Sequence, residues 1–198
     1  MKVKVAYKST ETYRDMRQNW QLWSGALSNN QMALITEKAN ALPDVNATIF
    51  SDSKVNSDIR RSKVKWLSHD DEVKDLLWSY AEEANRNAFG FDVRNVGDVQ
   101  YTEYHATEAG HYDWHHDIHW NNEKAFDRKL SITVQLSSPE NYTGGVFEFG
   151  ETQTPDHHIS TKKGTVLVFP SYLQHRVTPV QSGTRVSLVA WFEGPRWK

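Results

Sequence analysis

Cysteine is absent from all 198 residues. That excludes disulfide scaffolds, cysteine nucleophiles, zinc ribbons and iron–sulfur clusters, and nothing suggests an oxidising compartment. Any metal has to be held by His, Asp, Glu or water. A dominant sign of charge is missing too: 23 Lys and Arg stand against 25 Asp and Glu, for a formal net charge of −2. This excludes a strongly basic nucleic-acid binder and a strongly acidic tail protein. No stretch approaches the ~18 apolar residues of a membrane-spanning helix. No apolar run follows the lysines of Met1–Thr10, as a secretory signal would need. The expectation is a soluble, cytoplasmic protein with no membrane partner. Without a repeat, a low-complexity tract or a long linker, the chain reads as one domain over 1–198, with supporting elements in 1–95 and a core in 96–198. A domain of this length buries roughly 70% of its unfolded surface, so no staple is needed.

What is present is organised in two textures. Lys2–Tyr7 alternates polar and apolar, which predicts a short half-buried strand. Met32, Ile35, Ala39 and Leu42 recur at helical spacing before Pro43, predicting a helix from about Asn30 to Leu42. Residues 43–60 are polar and irregular. A second helix is predicted to start at a Ser68 cap with Asp71 three residues on, to bury Val73, Leu76, Leu77, Tyr80, Ala81, Ala84 and Ala88, and to stop at Gly90. From Val99 onward come short β-branched and aromatic runs separated by turns: 99–107, 111–119, 128–137, 146–150, 159–169, 174–180 and 184–193. So many short strands close most naturally as a two-sheet jelly roll or barrel, with the N-terminal helices covering one sheet.

Five of the nine histidines, His105, His111, His115, His116 and His119, fall within fifteen residues. If 111–119 is one strand, alternation puts His111, Asp113, His115, Asp117 and His119 on one face. Two His-x-Asp pairs are then available as metal ligands, His111 with Asp113 and His115 with Asp117. A third ligand is needed from elsewhere, and His175 in Leu173-Gln-His-Arg-Val177 is the best candidate. Two imidazoles and one carboxylate on one face of a metal leave positions open for other ligands, the arrangement of non-haem Fe(II) oxygenases. Ten residues beyond His175, Arg185 interrupts an otherwise apolar strand. A buried salt bridge would account for it, and so would a carboxylate ligand gripped by its planar fork. His157 and His158 beside Asp156 read as a solvated turn, and the basic run Arg60, Arg61, Lys63 and Lys65 reads as a solvated edge or a flap over the site.

The order His115-x-Asp117, His175, Arg185 resembles the iron- and 2-oxoglutarate-dependent oxygenases, and within them the prolyl 4-hydroxylase group in its bacterial and phage form. Gly110-His-Tyr112-Asp-Trp-His115-His-Asp117 is similar to that group's Gly-x-x-Tyr-x-x-His-x-Asp segment, with one residue fewer between Gly and Tyr. Leu130 to Gly145, Lys163 to Ser171, His175 to Val180 and Arg60 to Leu67 resemble further segments of the group, so the likeness spans about residues 60–196.

The resemblance selects His115 and Asp117 over His111 and Asp113. It implies a double-stranded β-helix (jelly-roll) core, with His115, Asp117 and His175 binding Fe(II) and Arg185 holding the C5 carboxylate of 2-oxoglutarate. Tyr104 matches a tyrosine near the co-substrate, although its spacing to His115 is longer here. Gln135 stands where many relatives have a tyrosine that hydrogen-bonds the same carboxylate, and Trp191 where relatives carry a pocket-lining tryptophan. The implied reaction consumes O₂ and 2-oxoglutarate, releases succinate and CO₂, and hydroxylates a proline residue of a peptide or protein at C4, with ascorbate as a helper. A groove for such a substrate would form between 105–124 and 43–60. Two other readings compete: the same mechanism on a free amino acid or other small molecule, and a cupin-like metal-binding jelly roll without catalysis. A nucleic-acid partner is not expected, because no basic stripe adjoins the motifs.

Overall fold

A computed structural model of the chain describes residues 18–47, 58–121 and 123–198. The strand predicted over Lys2–Tyr7 and most of the polar 43–60 segment lie outside these residues.

Two helices form as the periodicity predicts, with one corrected boundary. Helix α1 (Asn29–Asn40) begins with a reciprocal cap, in which Ser28 Oγ accepts from Gln31 N and Gln31 Oε1 accepts from Ser28 N. Helix α2 (Asp71–Ala84) is capped by Asp70, not by Ser68, because Asp70 Oδ1 accepts from Val73 N at 3.1 Å. Ser68 lies ahead of the helix and bonds Asp98 and the backbone of Val99 instead. Lys38 of α1 joins Asp70 at 2.8 Å, tying the two helices together. A π-helical turn (Asn85–Phe89) extends α2, and Gly90, at φ 66°, ends it.

The strands after β1 (Gln21–Trp23) are β2 (Val45–Asn46), β3 (Arg60–Arg61), β4 (Lys63–Trp66), β5 (Gly97–His105), β6 (His111–His115), β7 (Phe126–Gln135), β8 (Tyr142–Gly144), β9 (Phe147–Phe149), β10 (Val166–Pro170), β11 (His175–Val177) and β12 (Val180–Pro195). They build a major antiparallel sheet in the order β1-β10-β7-β12-β5-β4-β2, with β8 paired to the start of β12, and a minor sheet in the order β3-β6-β11-β9. Two facing antiparallel sheets with helices on one outer side make the predicted jelly roll. Among the described residues, no helix is long and apolar enough to cross a membrane.

Three expected strands change. The run 111–119 stops at His115, because the backbone N–H groups of Asp117 and Ile118 both donate to Ser171 O and turn the chain. In 159–169 a short helix α3 (His157–Ser160), capped by Asp156, precedes β10. The run 146–150 shortens to β9.

Side-chain alternation separates two functions across the major sheet. Leu130, Ile132 and Val134 of β7, Leu188, Ala190 and Phe192 of β12 and Val99 and Tyr101 of β5 pack against Met32, Ile35, Val73, Leu77, Tyr80 and Ala84 of the helices. Each such side chain contributes roughly 1.5–3 kcal/mol by leaving water. The intervening residues point the other way, into the space between the sheets. They include Ser131, Thr133 and Gln135 of β7, Gln100 and Tyr104 of β5, and Arg185, Ser187 and Trp191 of β12. A packed core would not place this much polarity there, so the inner face is built to hold something.

Candidate metal centre

His115 ends β6 and His175 begins β11, and the two are direct partners in the minor sheet. Asp117 comes from the bend that Ser171 O stabilises. His115 Nε2 lies 3.7 Å from Asp117 Oδ1 and His175 Nε2 lies 3.5 Å from Asp117 Oδ2. One donor atom from each residue falls within 4.8 Å of the others, so this trio could hold a metal ion. His111 and Asp113 are not in it. His111 bonds the carbonyls of Ala109 and Asp58. His116 turns its Nδ1 to Tyr172 O at 2.8 Å.

The surroundings prepare these groups as ligands. His115 Nδ1 donates to Asp113 O at 2.7 Å and His175 Nδ1 donates to Leu173 O at 2.9 Å, which leaves both Nε2 lone pairs facing the common point. Burial, reinforced by the neighbouring His175, pushes the His115 imidazole down to about 3, so it is neutral. Burial works to raise Asp117, but the two imidazoles and the Ser131 hydroxyl outweigh it and hold the carboxyl below its ordinary range. Ser131 Oγ donates to Asp117 Oδ2 at 2.6 Å. Phe147 and Phe169 pack on His175 with ring centroids 5.4 and 4.8 Å away. Tyr112 stacks on His115 at 3.4 Å between centroids, and burial pushes its phenol up to about 12, so it stays protonated.

Beside the trio, Arg185 is 4% exposed and has no carboxylate within ion-pair distance among the described residues. Its polar neighbours are the hydroxyl of Ser187, at 3.5 Å, and the face of Tyr104, 5.6 Å from its Cζ. A buried guanidinium without a counter-charge is costly, and an anionic ligand in the same cavity would supply one. That cavity is lined by His115, Asp117, His175, Arg185, Tyr104 and Trp191 among others. Gln135 adjoins Arg185 in a neighbouring recess. All seven residues singled out in the sequence are thus drawn to one end of the barrel.

Sequence reading missed Arg60. It is 7% exposed, not a solvated edge, because β3 pairs with β6 and lays its Cζ 4.5 Å over the Tyr112 ring. Its guanidinium bonds Ser62 and Gln100. A second cleft lies between Arg60, Trp66, His116, Arg128 and Trp191, and Asp117 of the trio is among its lining residues. Val45 and Arg60 bring the 43–60 region to this cleft, and His116 and Asp117 bring the 105–124 region. Arg128 stacks 4.1 Å over Trp191. Trp66 leaves 44% of its surface in solvent.

An antiparallel double-sheet barrel with an inward His-Asp-His trio could hold one metal ion, and the adjacent buried arginine could hold an anionic ligand beside it. Comparison with known proteins agrees. Residues 99–193 match the 2OG-Fe(II) oxygenase superfamily. A PKHD-type hydroxylase of Azoarcus sp. (strain BH72) is 38% identical over 86 residues, which cover 42% of this chain and 37% of that protein. The chain therefore matches little more than a third of the length of that relative. Among solved structures, the viral collagen prolyl hydroxylase of Paramecium Bursaria Chlorella virus-1, in its 2OG complex, aligns with TM-score 0.66 at 21% identity over 89% of this chain and 97% of that one. A Pseudomonas putida prolyl-4-hydroxylase aligns with TM-score 0.66 at 19% identity over 90% and 93%. Through residues 99–193, just under half of the chain, the sequence is similar to the 2OG-Fe(II) oxygenase superfamily, and within it to the prolyl hydroxylase-like group. The superfamily implies Fe(II), 2-oxoglutarate and O₂, and the donor set fits: no thiolate, two imidazoles that turn Nε2 to a common point, and one carboxylate held below its ordinary range.

Proposed function

We propose that this chain is an Fe(II)- and 2-oxoglutarate-dependent dioxygenase that hydroxylates a proline residue in a peptide or protein at C4. The observation that carries the reading is the union, in one cavity, of the His115–Asp117–His175 trio with Arg185, a buried cation that no carboxylate among the described residues neutralises. In this reading the trio holds Fe(II) and Arg185 holds the distal carboxylate of 2-oxoglutarate, with Tyr104 packed along it. Bound Fe(II) supplies the activation of O₂ that is coupled to conversion of 2-oxoglutarate to succinate and CO₂. The protein supplies orientation and shielding. Backbone carbonyls fix both imidazoles through Nδ1, the Ser131 hydroxyl holds Asp117 ionised, and Phe147 and Phe169 exclude water from the His175 side. Tyr112 remains a neutral phenol against His115 and withdraws no charge from it.

The second cleft supports a peptide over a small molecule. It is lined by the exposed Trp66, and by Trp191 and Asp117 together, so apolar aromatic surface and a residue of the trio share one cleft. Two of the similar proteins are named for prolyl hydroxylation, one of them of collagen. Ascorbate is proposed, on the same likeness, to sustain turnover.

The test incubates the purified chain with Fe(II), 2-oxoglutarate and O₂, and with either proline-containing peptides or free proline and other amino acids. Mass spectrometry reads the added oxygen and chromatography reads succinate. The reading expects one oxygen on proline per succinate, in peptides only. Oxygen added to free amino acids alone would replace the peptide substrate by a small molecule. Metal binding with no succinate under any condition would replace the enzyme by a binding protein.

A further inference from the structure

The resemblance gives Gln135 the task of hydrogen-bonding the distal carboxylate, but its side chain is otherwise engaged. Gln135 Nε2 donates to Ser137 O at 3.0 Å and to Tyr142 Oη at 3.0 Å. A backbone carbonyl only accepts, so the contact with Ser137 O fixes the amide with its nitrogen toward Tyr142. Both N–H groups are then in use, and neither is left for a ligand.

The consequence passes to Tyr142. Its hydroxyl oxygen receives a hydrogen bond, yet its own proton meets no acceptor among the described residues, although the residue is only 6% exposed. A buried donor in this condition calls for an acceptor. Tyr142 stands opposite Gly183 in the β8–β12 pairing, two residues before Arg185 on the same strand. Gly145, at φ 58°, lies between the two side chains: a Cβ there would sit 2.9 Å from Arg185 Cδ and 3.4 Å from Tyr142 Cε2. The missing side chain leaves the Arg185 aliphatic chain and the Tyr142 ring side by side across Gly145, and the Tyr142 hydroxyl reaches the recess through Gln135. Arg185, Gln135 and Gly145 line the same recess.

We infer that Tyr142 donates its phenolic proton to the distal carboxylate held by Arg185, and that Gln135 is a positioning residue that turns the phenol to do so. The inference rests on the 2-oxoglutarate reading above. It assigns to β8 a proton donor that the resemblance places on β7.

Equilibrium binding to the full chain loaded with Mn(II), without O₂, tests this without turnover. The two probes are 2-oxoglutarate and 2-oxopentanoate, which keeps the keto acid and lacks the distal carboxylate. Tyr142→Phe is expected to weaken 2-oxoglutarate about tenfold, as loss of a hydrogen bond to a charged group does, and to leave 2-oxopentanoate unchanged. Gln135→Met is expected to weaken 2-oxoglutarate less, and the double variant to be no weaker than Tyr142→Phe alone. Equal 2-oxoglutarate affinity in Tyr142→Phe and the unaltered chain overturns the inference, as does a parallel loss for both keto acids. Additive losses in the double variant overturn the positioning role of Gln135. Failure of the unaltered chain to bind 2-oxoglutarate overturns the functional reading itself, and so stands apart from these outcomes.

Discussion

Ser131 Oγ donates to Asp117 Oδ2 at 2.6 Å and lies 2.9 Å from Ser171 Oγ. The bond joins the inner face of β7 to the bend after β6, and so fixes one carboxylate oxygen while leaving the other toward His115. Support of this kind around a metal ligand is typically worth 10–100-fold in metal affinity. Ser131→Ala is expected to weaken Mn(II) binding by about that factor, measured by calorimetry, with secondary structure unchanged. Undiminished affinity would mean that Asp117 needs no such anchor.

Metal binding should also register as stability. A ligand that binds the folded state alone at a hundred times its Kd adds about 2.7 kcal/mol. Mn(II) is expected to raise the Tm of the unaltered chain by several degrees. In Asp117→Ala and His175→Ala the rise should vanish, because each leaves only two of the three donors. A rise that survives both changes would place the metal elsewhere.

The metal-free chain should lose stability in mild acid. Folding depresses His115 from about 6.5 to about 3, so between these values the unfolded chain takes up a proton that the folded chain refuses. Stability from this group is complete above pH 6.5 and is lost as pH falls towards 3, at up to about 1.4 kcal/mol per pH unit. Asp117, depressed as well, adds a loss of the same sign below its ordinary carboxyl range. Denaturant titrations from pH 7 to pH 4 should show the slope, and His115→Asn should flatten it. An identical slope in the variant would remove His115 as its source.

Arg60 tests the cleft rather than the metal. It lines both the metal cavity and the outer cleft, and it bonds the neutral Ser62 and Gln100. Arg60→Met is expected to raise the KM for a peptide substrate about tenfold, the loss of a charge-assisted hydrogen bond. The affinity for 2-oxoglutarate should be unchanged. A variant that lost co-substrate and kept peptide would reverse the two assignments.

The sequence disclosed this architecture unevenly, and the reasons are physical. Period-two alternation in Leu130-Ser-Ile-Thr-Val-Gln135 is local, and it already marks one apolar and one polar face. The same signal could have picked out Ser131. The helices were legible to within a few residues, except that Asp70 displaced Ser68 as the cap, since both types cap well and only the path of the chain decides. The site residues His115, Asp117, His175 and Arg185 came from a resemblance, and spacing alone left His111 and Asp113 equally eligible.

Contacts between distant strands were not legible. The burial of Arg60 depends on β3 pairing with β6, and within its basic run an arginine facing solvent and one facing Tyr112 look alike. The Gln135–Tyr142 bond crosses a turn, and nothing in the local pattern says which hydroxyl meets the amide. The bend at Asp117 is set by Ser171, far along the chain, so strict alternation ran the strand too far.

The central claim is that one cavity binds Fe(II) through His115, Asp117 and His175 and 2-oxoglutarate through Arg185. Anaerobic addition of both components to the metal-free chain tests it most directly, by the visible charge-transfer absorption of a chelated iron–keto-acid complex. The account predicts a band that requires Fe(II) and 2-oxoglutarate together, is absent in His175→Ala, and needs far higher 2-oxoglutarate in Arg185→Ala. Bound iron with no band at saturating 2-oxoglutarate, or a band indifferent to Arg185, would contradict it.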